Sequence, residues 1–90
     1  MSASKISFAY YRDAGHGWVA VKRSAVEKLG IADEITNYSY QRGKMCYLEE
    51  DCDMNAFMKA YYEMFGRYPN LRTVDHGSNS WVRSQERYAA

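Results

Sequence analysis

Four short polar segments of this chain carry the side chains that suit binding chemistry. Gly15-His16-Gly17-Trp18 sets an imidazole beside an indole, with glycines around it. Glycine lets the backbone approach a ligand closely or take φ > 0, so His16 and Trp18 could stack on a base or cradle a phosphate. Tyr38-Ser39-Tyr40-Gln41-Arg42-Gly43 places two rings two positions apart, ahead of an arginine. On a strand that spacing puts Tyr38 and Tyr40 on one face as a stacking platform, with Arg42 as an anion contact. Glu49-Glu50-Asp51-Cys52-Asp53 gathers four carboxylates just before a helical pattern. A helix cap needs one of them. The others (Glu49, Glu50 and Asp51) suit the basic groups of a protein partner, or oxygen coordination of Mg²⁺ or Ca²⁺. The stretch from Asp75 to Ser84 crowds His76, Gly77, Ser78, Asn79 and Arg83 together. Backbone N–H groups around a glycine and an arginine fork suit an anion or a nucleotide phosphate.

Each segment also has a plainer reading. The glycines around His16 serve a hairpin turn, exposed hairpin tyrosines are common, acids ahead of a helix favour its dipole, and residues 75–84 form a surface loop.

Catalysis and metals find less support. Cys46, Cys52, His16 and His76 are the thiol and imidazole donors, and none lies at the short paired spacings of a structural zinc site. The acidic run lacks the glycine and the spaced aspartates of an EF-hand loop. Cys52 lies among acids that raise a thiol pKa, the wrong direction for a nucleophile. Gly-x-Ser-x-Gly, Walker and HExxH patterns are absent from the sequence. A small enzyme would need His16 or His76 as a base, with the fold bringing both imidazoles into one pocket. The expectation is no metal, no cofactor and no catalytic residue.

The elements that position these segments follow from periodicity. Ile6, Phe8 and Tyr10 alternate with Ser7, Ala9 and Tyr11, and Trp18 to Lys22 forms a second strand, so the two make a hairpin. Ser24 and Glu27 read as a capping box for a short helix ending at Leu29 and Gly30. Ile35 to Gln41 and Lys44 to Glu49 read as a second hairpin turning at Arg42-Gly43. Met54, Phe57, Met58, Tyr61, Met64 and Phe65 recur at helical spacing, with Asp53 as the cap and Gly66 as the stop. Leu71 to Asp75 is a fifth strand, and Trp81 to Ser84 a short extended segment. The order ββαββαβ predicts an α+β domain over residues 1–90. Its sheet is mainly antiparallel, of about five strands, with one long amphipathic helix and one short one.

Ninety residues make a small core, of a size that favours shallow or shared sites. Apolar residues are 47% and charged residues 26% of the chain, an ordinary globular balance. The net charge of +1 is unevenly distributed: +3 over residues 1–30, −4 over 31–65 and +2 over 66–90. No block is basic enough for a duplex DNA binder. No apolar run reaches the roughly 20 residues of a membrane span, and the N-terminus lacks a secretory pattern, so cytosol is expected. The two cysteines are expected as free thiols. Nine tyrosines exceed what a small core calls for, and tyrosine is favoured at interfaces. Apolar surface left uncovered by one helix also suggests a homodimer.

The segments Gly15-His16-Gly17-Trp18, Tyr38-Ser39-Tyr40, Tyr47 to Asp53 and Val82-Arg83-Ser84 resemble a family of small proteins of tailed bacteriophages and bacterial mobile elements. The resemblance implies no established activity, cofactor or catalytic residue. It implies a phage-borne accessory protein in a bacterial host cytosol, acting on host machinery or antiviral defence. The leading expectation is a small binder or inhibitor. Its partner is a host or defence protein meeting Trp18, Tyr38, Tyr40, Glu49, Glu50 and Asp51, or a small anionic ligand held by His16, Arg42, His76, Ser78, Asn79 and Arg83. The alternative is a single-stranded nucleic-acid module using Tyr38 and Tyr40.

Overall fold

The computed structural model describes residues 7–90, so Ile6 of the first expected strand lies outside the described residues. The strands are β1 (Ser7–Arg12), β2 (Gly17–Lys22), β3 (Tyr40–Arg42), β4 (Met45–Glu49), β5 (Asn70–Asp75) and β6 (Glu86–Arg87). The helices are α1 (Arg23–Lys28) and α2 (Met54–Phe65). Short 3-10 turns cover Ala32–Glu34 and Trp81–Ser84.

The strand order in the sheet is β5-β1-β2-β4-β3-β6. Two hairpins, β1–β2 and β3–β4, join side by side through antiparallel pairing of β2 with β4. From β4 the chain runs through α2 and comes back as β5 on the far side of β1, parallel to it. The sheet is therefore mixed and six-stranded, where mainly antiparallel and about five was expected. A helix that carries the chain back to the end it started from delivers the next strand parallel, and helical spacing alone does not reveal that geometry.

Period-two alternation gives the sheet two different faces. On one, Val19, Val21, Cys46 and Leu48 form a cluster with Val26 of α1 and Phe57 of α2. Phe8 meets Phe57 edge-on at 5.2 Å between centroids, and Tyr61 at 5.8 Å. Burying a side chain of Phe57's size is worth about 1.5–3 kcal/mol, which makes this contact the main anchor of α2. The helix stops at Gly66, whose φ of 74° is the left-handed value that glycine adopts without strain. Its last turn leaves Tyr62, Met64 and Phe65 exposed. The other face carries Trp18, Ala20, Tyr47 and Val82, with Tyr11, Tyr40 and Met45 packed around them.

Several local expectations are corrected. Residues 35–39 are not strand: Ile35 ends a 3-10 turn, and the chain turns again with Ser39 N–H donating to the Thr36 carbonyl. Tyr38 therefore lies outside the strand that holds Tyr40. The segment at Trp81–Ser84 is a 3-10 turn rather than extended, closed by Val82 N–H donating to the Ser80 hydroxyl. Ser24 does not cap α1, which begins one residue earlier without a side-chain cap bond. Asp53 stands at the cap position of α2, but its carboxylate makes no cap bond to the helix. Among the described residues no helix is long and apolar enough to cross a membrane.

Candidate functional site

Two buried aspartates build the region around the second face. Asp13, in the β1–β2 loop, has a side chain with no exposure to solvent. Its Oδ1 accepts from the backbone N–H groups of Gly15 and His16, each at 3.0 Å, and from Arg83 Nη2 at 2.8 Å. Its Oδ2 accepts from Ser80 N–H at 2.8 Å and Arg83 Nε at 2.6 Å. Five donors, two of them from one bidentate guanidinium, hold this carboxyl far below the usual range; Arg83 is the largest cause and overrides the opposing effect of burial. The same pairing raises the Arg83 pKa and fixes its guanidinium 5.3 Å from the centre of the Trp18 ring.

Asp53 does the equivalent for the β3 side. Its Oδ1 accepts from Thr36 N–H at 3.0 Å and its Oδ2 from the Thr36 hydroxyl at 2.8 Å. The Ser39 hydroxyl also donates to Oδ2 and accepts from Glu49 N–H at 2.9 Å. This bonding ties the turn that bears Tyr38 to the end of β4.

The two networks frame a cavity of ≈ 370 Å³. Trp18 and Glu49 sit opposite each other on β2 and β4 and both line it. Tyr40 meets Trp18 edge-on at 6.2 Å, and the Arg87 guanidinium lies 4.9 Å from the Tyr40 ring centre. Tyr38, Arg83, His16, Asp51 and Cys52 complete the wall. Glu49 Oε1 accepts from Asp51 and Cys52 N–H at 2.9 and 3.1 Å, while Oε2 faces His16 Nδ1 at 3.2 Å. The Cys52 thiol is exposed and its pKa is raised, first by desolvation and then by Glu49 and its acidic neighbours, so it is no ready nucleophile. Trp18 is 1% exposed, and its indole N–H has no acceptor among the described residues. A buried donor left without a partner costs about 1–3 kcal/mol.

The cavity thus gathers His16, Trp18, Tyr38, Tyr40, Glu49, Asp51 and Arg83, which the sequence divides between a protein surface and an anion site. Trp18, expected as an aromatic anchor for a partner, is a buried wall of the cavity. Glu49 is buried, and Glu50 accepts the Tyr10 phenol at 2.6 Å beside a separate hollow. Of these three acids, Asp51 alone is exposed. Arg42 sits opposite Met45 at the turn end of its hairpin, away from the cavity-lining residues. His76, Asn79 and Arg83 share a second, open hollow of ≈ 620 Å³ with Ser80 and Trp81, which Ser78 does not line. His76 Nδ1 lies 2.7 Å from the Ser80 hydroxyl, and its ring stacks on Tyr11 at 4.9 Å. The two imidazoles line different hollows.

The glycines of the first segment also have a different use. Neither Gly15 nor Gly17 has positive φ. A Cβ at Gly17 would overlap the Tyr10 phenol, so this glycine makes room for a neighbouring ring and not for a ligand. The roles of Arg87, Asp13 and Asp53 escape sequence reasoning. Asp13 and Arg83 are 70 positions apart, and no local pattern links them.

Chemically, the cavity offers aromatic edges and faces, two guanidinium groups and an imidazole–carboxylate rim. Those groups can hold a flat anionic molecule and orient it. No family model matches the chain, and neither does any curated protein or solved structure.

Proposed function

We propose that this protein is a small non-enzymatic binding module whose cavity at Trp18, Tyr40, Arg83 and Arg87 takes a nucleotide-like anion. The gathering of Trp18, Tyr40 and two guanidinium groups in one cavity is the observation that carries the reading. A cavity of ≈ 370 Å³ is at the small end for ligand sites, suited to one mononucleotide or one splayed base. Tyr40 and the exposed Tyr38 would flank the ring, and the Arg87 guanidinium would meet the phosphate. The protein-partner reading is weaker by comparison, since Glu49 and Glu50 are bonded internally. Under the resemblance to phage and mobile-element proteins, such a module would sequester or sense a nucleotide of the bacterial host, as an accessory inhibitor acting in its cytosol.

Titration with a panel of mononucleotides, followed by calorimetry, tests this. Binding should be saturable, and Arg87→Ala or Tyr40→Ala should weaken it by roughly tenfold or more, while Arg42→Ala leaves it within about twofold. No binding by any nucleotide at low salt would overturn the reading.

One observation favours a second reading. The aromatic row continues beyond the cavity: Trp81 meets Tyr11 and Tyr47 edge-on at 5.2 and 5.3 Å on the same sheet face. A single-stranded oligonucleotide could stack along such a row. Affinity that climbs with oligonucleotide length would favour the strand; equal affinity for a mononucleotide would favour the single-ligand cavity.

A further inference from the structure

One end of the cavity differs from the rest. His16, Glu49 and Asp51 come from the β1–β2 loop, the end of β4 and the turn before α2, and one ligand atom from each lies within 4.8 Å of the others. Donor atoms about 2.0–2.2 Å from a common ion lie roughly 3–4 Å from one another. His16 Nδ1 and Glu49 Oε2 already meet that at 3.2 Å, and the exposed Asp51 carboxylate has freedom to close the remainder. Glu49 is anchored in a ligating pose, because two backbone N–H groups fix its Oε1 and leave Oε2 facing the imidazole. Mixed imidazole and carboxylate donors suit borderline first-row divalent ions better than Ca²⁺ or Mg²⁺, which take oxygen throughout.

We propose that His16, Glu49 and Asp51 form a site for a divalent transition-metal ion of the zinc class, open on the cavity side where the anionic ligand binds. The site rests on the cavity of the proposed function and adds a cation to it. The guanidinium groups and the metal would together hold a phosphate within the one cavity. Cys52 lines the same cavity beside the rim.

The test is titration of the full-length, chelator-treated protein with Co²⁺, read by visible absorption, with Zn²⁺ as competitor. Saturable one-to-one absorption displaced by Zn²⁺ is expected. His16→Ala and Asp51→Asn should each weaken binding by roughly tenfold or more. Both side chains are at least partly exposed, so these variants should keep the thermal midpoint of the metal-free protein, measured alongside. Glu50→Gln, an acid of the same run bonded to Tyr10 instead, should leave the affinity within about twofold. Absence of saturable Co²⁺ absorption overturns the proposal, as does equal weakening by Glu50→Gln, which would mean diffuse attraction to negative charge. Nucleotide titrations in the presence of EDTA separate the two readings: nucleotide bound there, with no metal taken up by the chelator-free protein, sinks the metal site and leaves the cavity reading standing.

Discussion

Along β2, Val19 and Val21 enter a core covered by both helices, whereas Trp18 and Ala20 enter a cluster that contains no α-helical residue. The covered face is held by apolar contact, with the Phe8–Phe57 edge at its centre. The open face is held by polar bonds between distant loops, with the Asp13–Arg83 pair at its centre. Apolar packing is nondirectional and tolerates some rearrangement. Charge-assisted bonds fix donor positions closely, which is what a recognition site needs. Stability and recognition are thus assigned to opposite sides of one six-stranded sheet.

That division can be broken most forcefully by truncation on each side. Phe57→Ala should cost about 3–5 kcal/mol in denaturant unfolding while leaving the ligand affinity of the folded fraction unchanged. Asp13→Asn should cost about 2–4 kcal/mol, because it leaves the Arg83 guanidinium and three backbone N–H groups poorly matched, and it should also lower affinity by releasing Arg83. If Phe57→Ala affected binding as much as Asp13→Asn does, the two faces would not be separate.

The pH dependence should divide in the same way. Asp13 titrates far lower folded than unfolded, so its contribution is full at neutral pH, above the unfolded value near 4. It is then lost as pH falls through the acid range. Tyr10, packed against the covered core, is raised to about 12 by burial first and then by its bond to Glu50. A raised tyrosine favours the folded state below the unfolded value near 10, and that contribution disappears as pH climbs from about 10 to 12. Urea unfolding across pH should therefore show an acid limb flattened by Asp13→Asn and an alkaline limb flattened by Tyr10→Phe. An acid limb unchanged in Asp13→Asn would contradict the assignment.

Smaller in its stability effect is Tyr38→Ala. This ring is 62% exposed, so stability should change by no more than about 0.5 kcal/mol, and any effect should appear in binding alone.

Much of the covered face is legible in the sequence. The alternation of β2 and β4, the helical spacing from Met54 to Phe65 and the stop at Gly66 are local patterns, and local periodicity reports which side of an element is buried. The open face is legible only as a collection of residues. His16, Trp18, Tyr40, Glu49 and Arg83 all stand out by type and setting, but their assembly into one cavity depends on the pairing of β2 with β4 and on Asp13 reaching Arg83. Bonds across such separations leave no periodic trace. Asp53 shows the same limit: its position before α2 reads as a cap, yet a nearby turn offering Thr36 and Ser39 draws its carboxylate inward. Tyr38 reads as a strand residue because Tyr-x-Tyr imitates alternation, and that same turn overrides it.

The most direct test concerns one guanidinium group. Arg87→Ala removes the cation that lines the cavity 4.9 Å from the Tyr40 ring centre. Arg87 is exposed, so thermal stability should fall little. Nucleotide affinity, measured by calorimetry on the folded variant, should drop by roughly tenfold or more. An Arg87→Ala protein that binds the nucleotide as tightly as the parent would contradict the claim that this cavity is the ligand site.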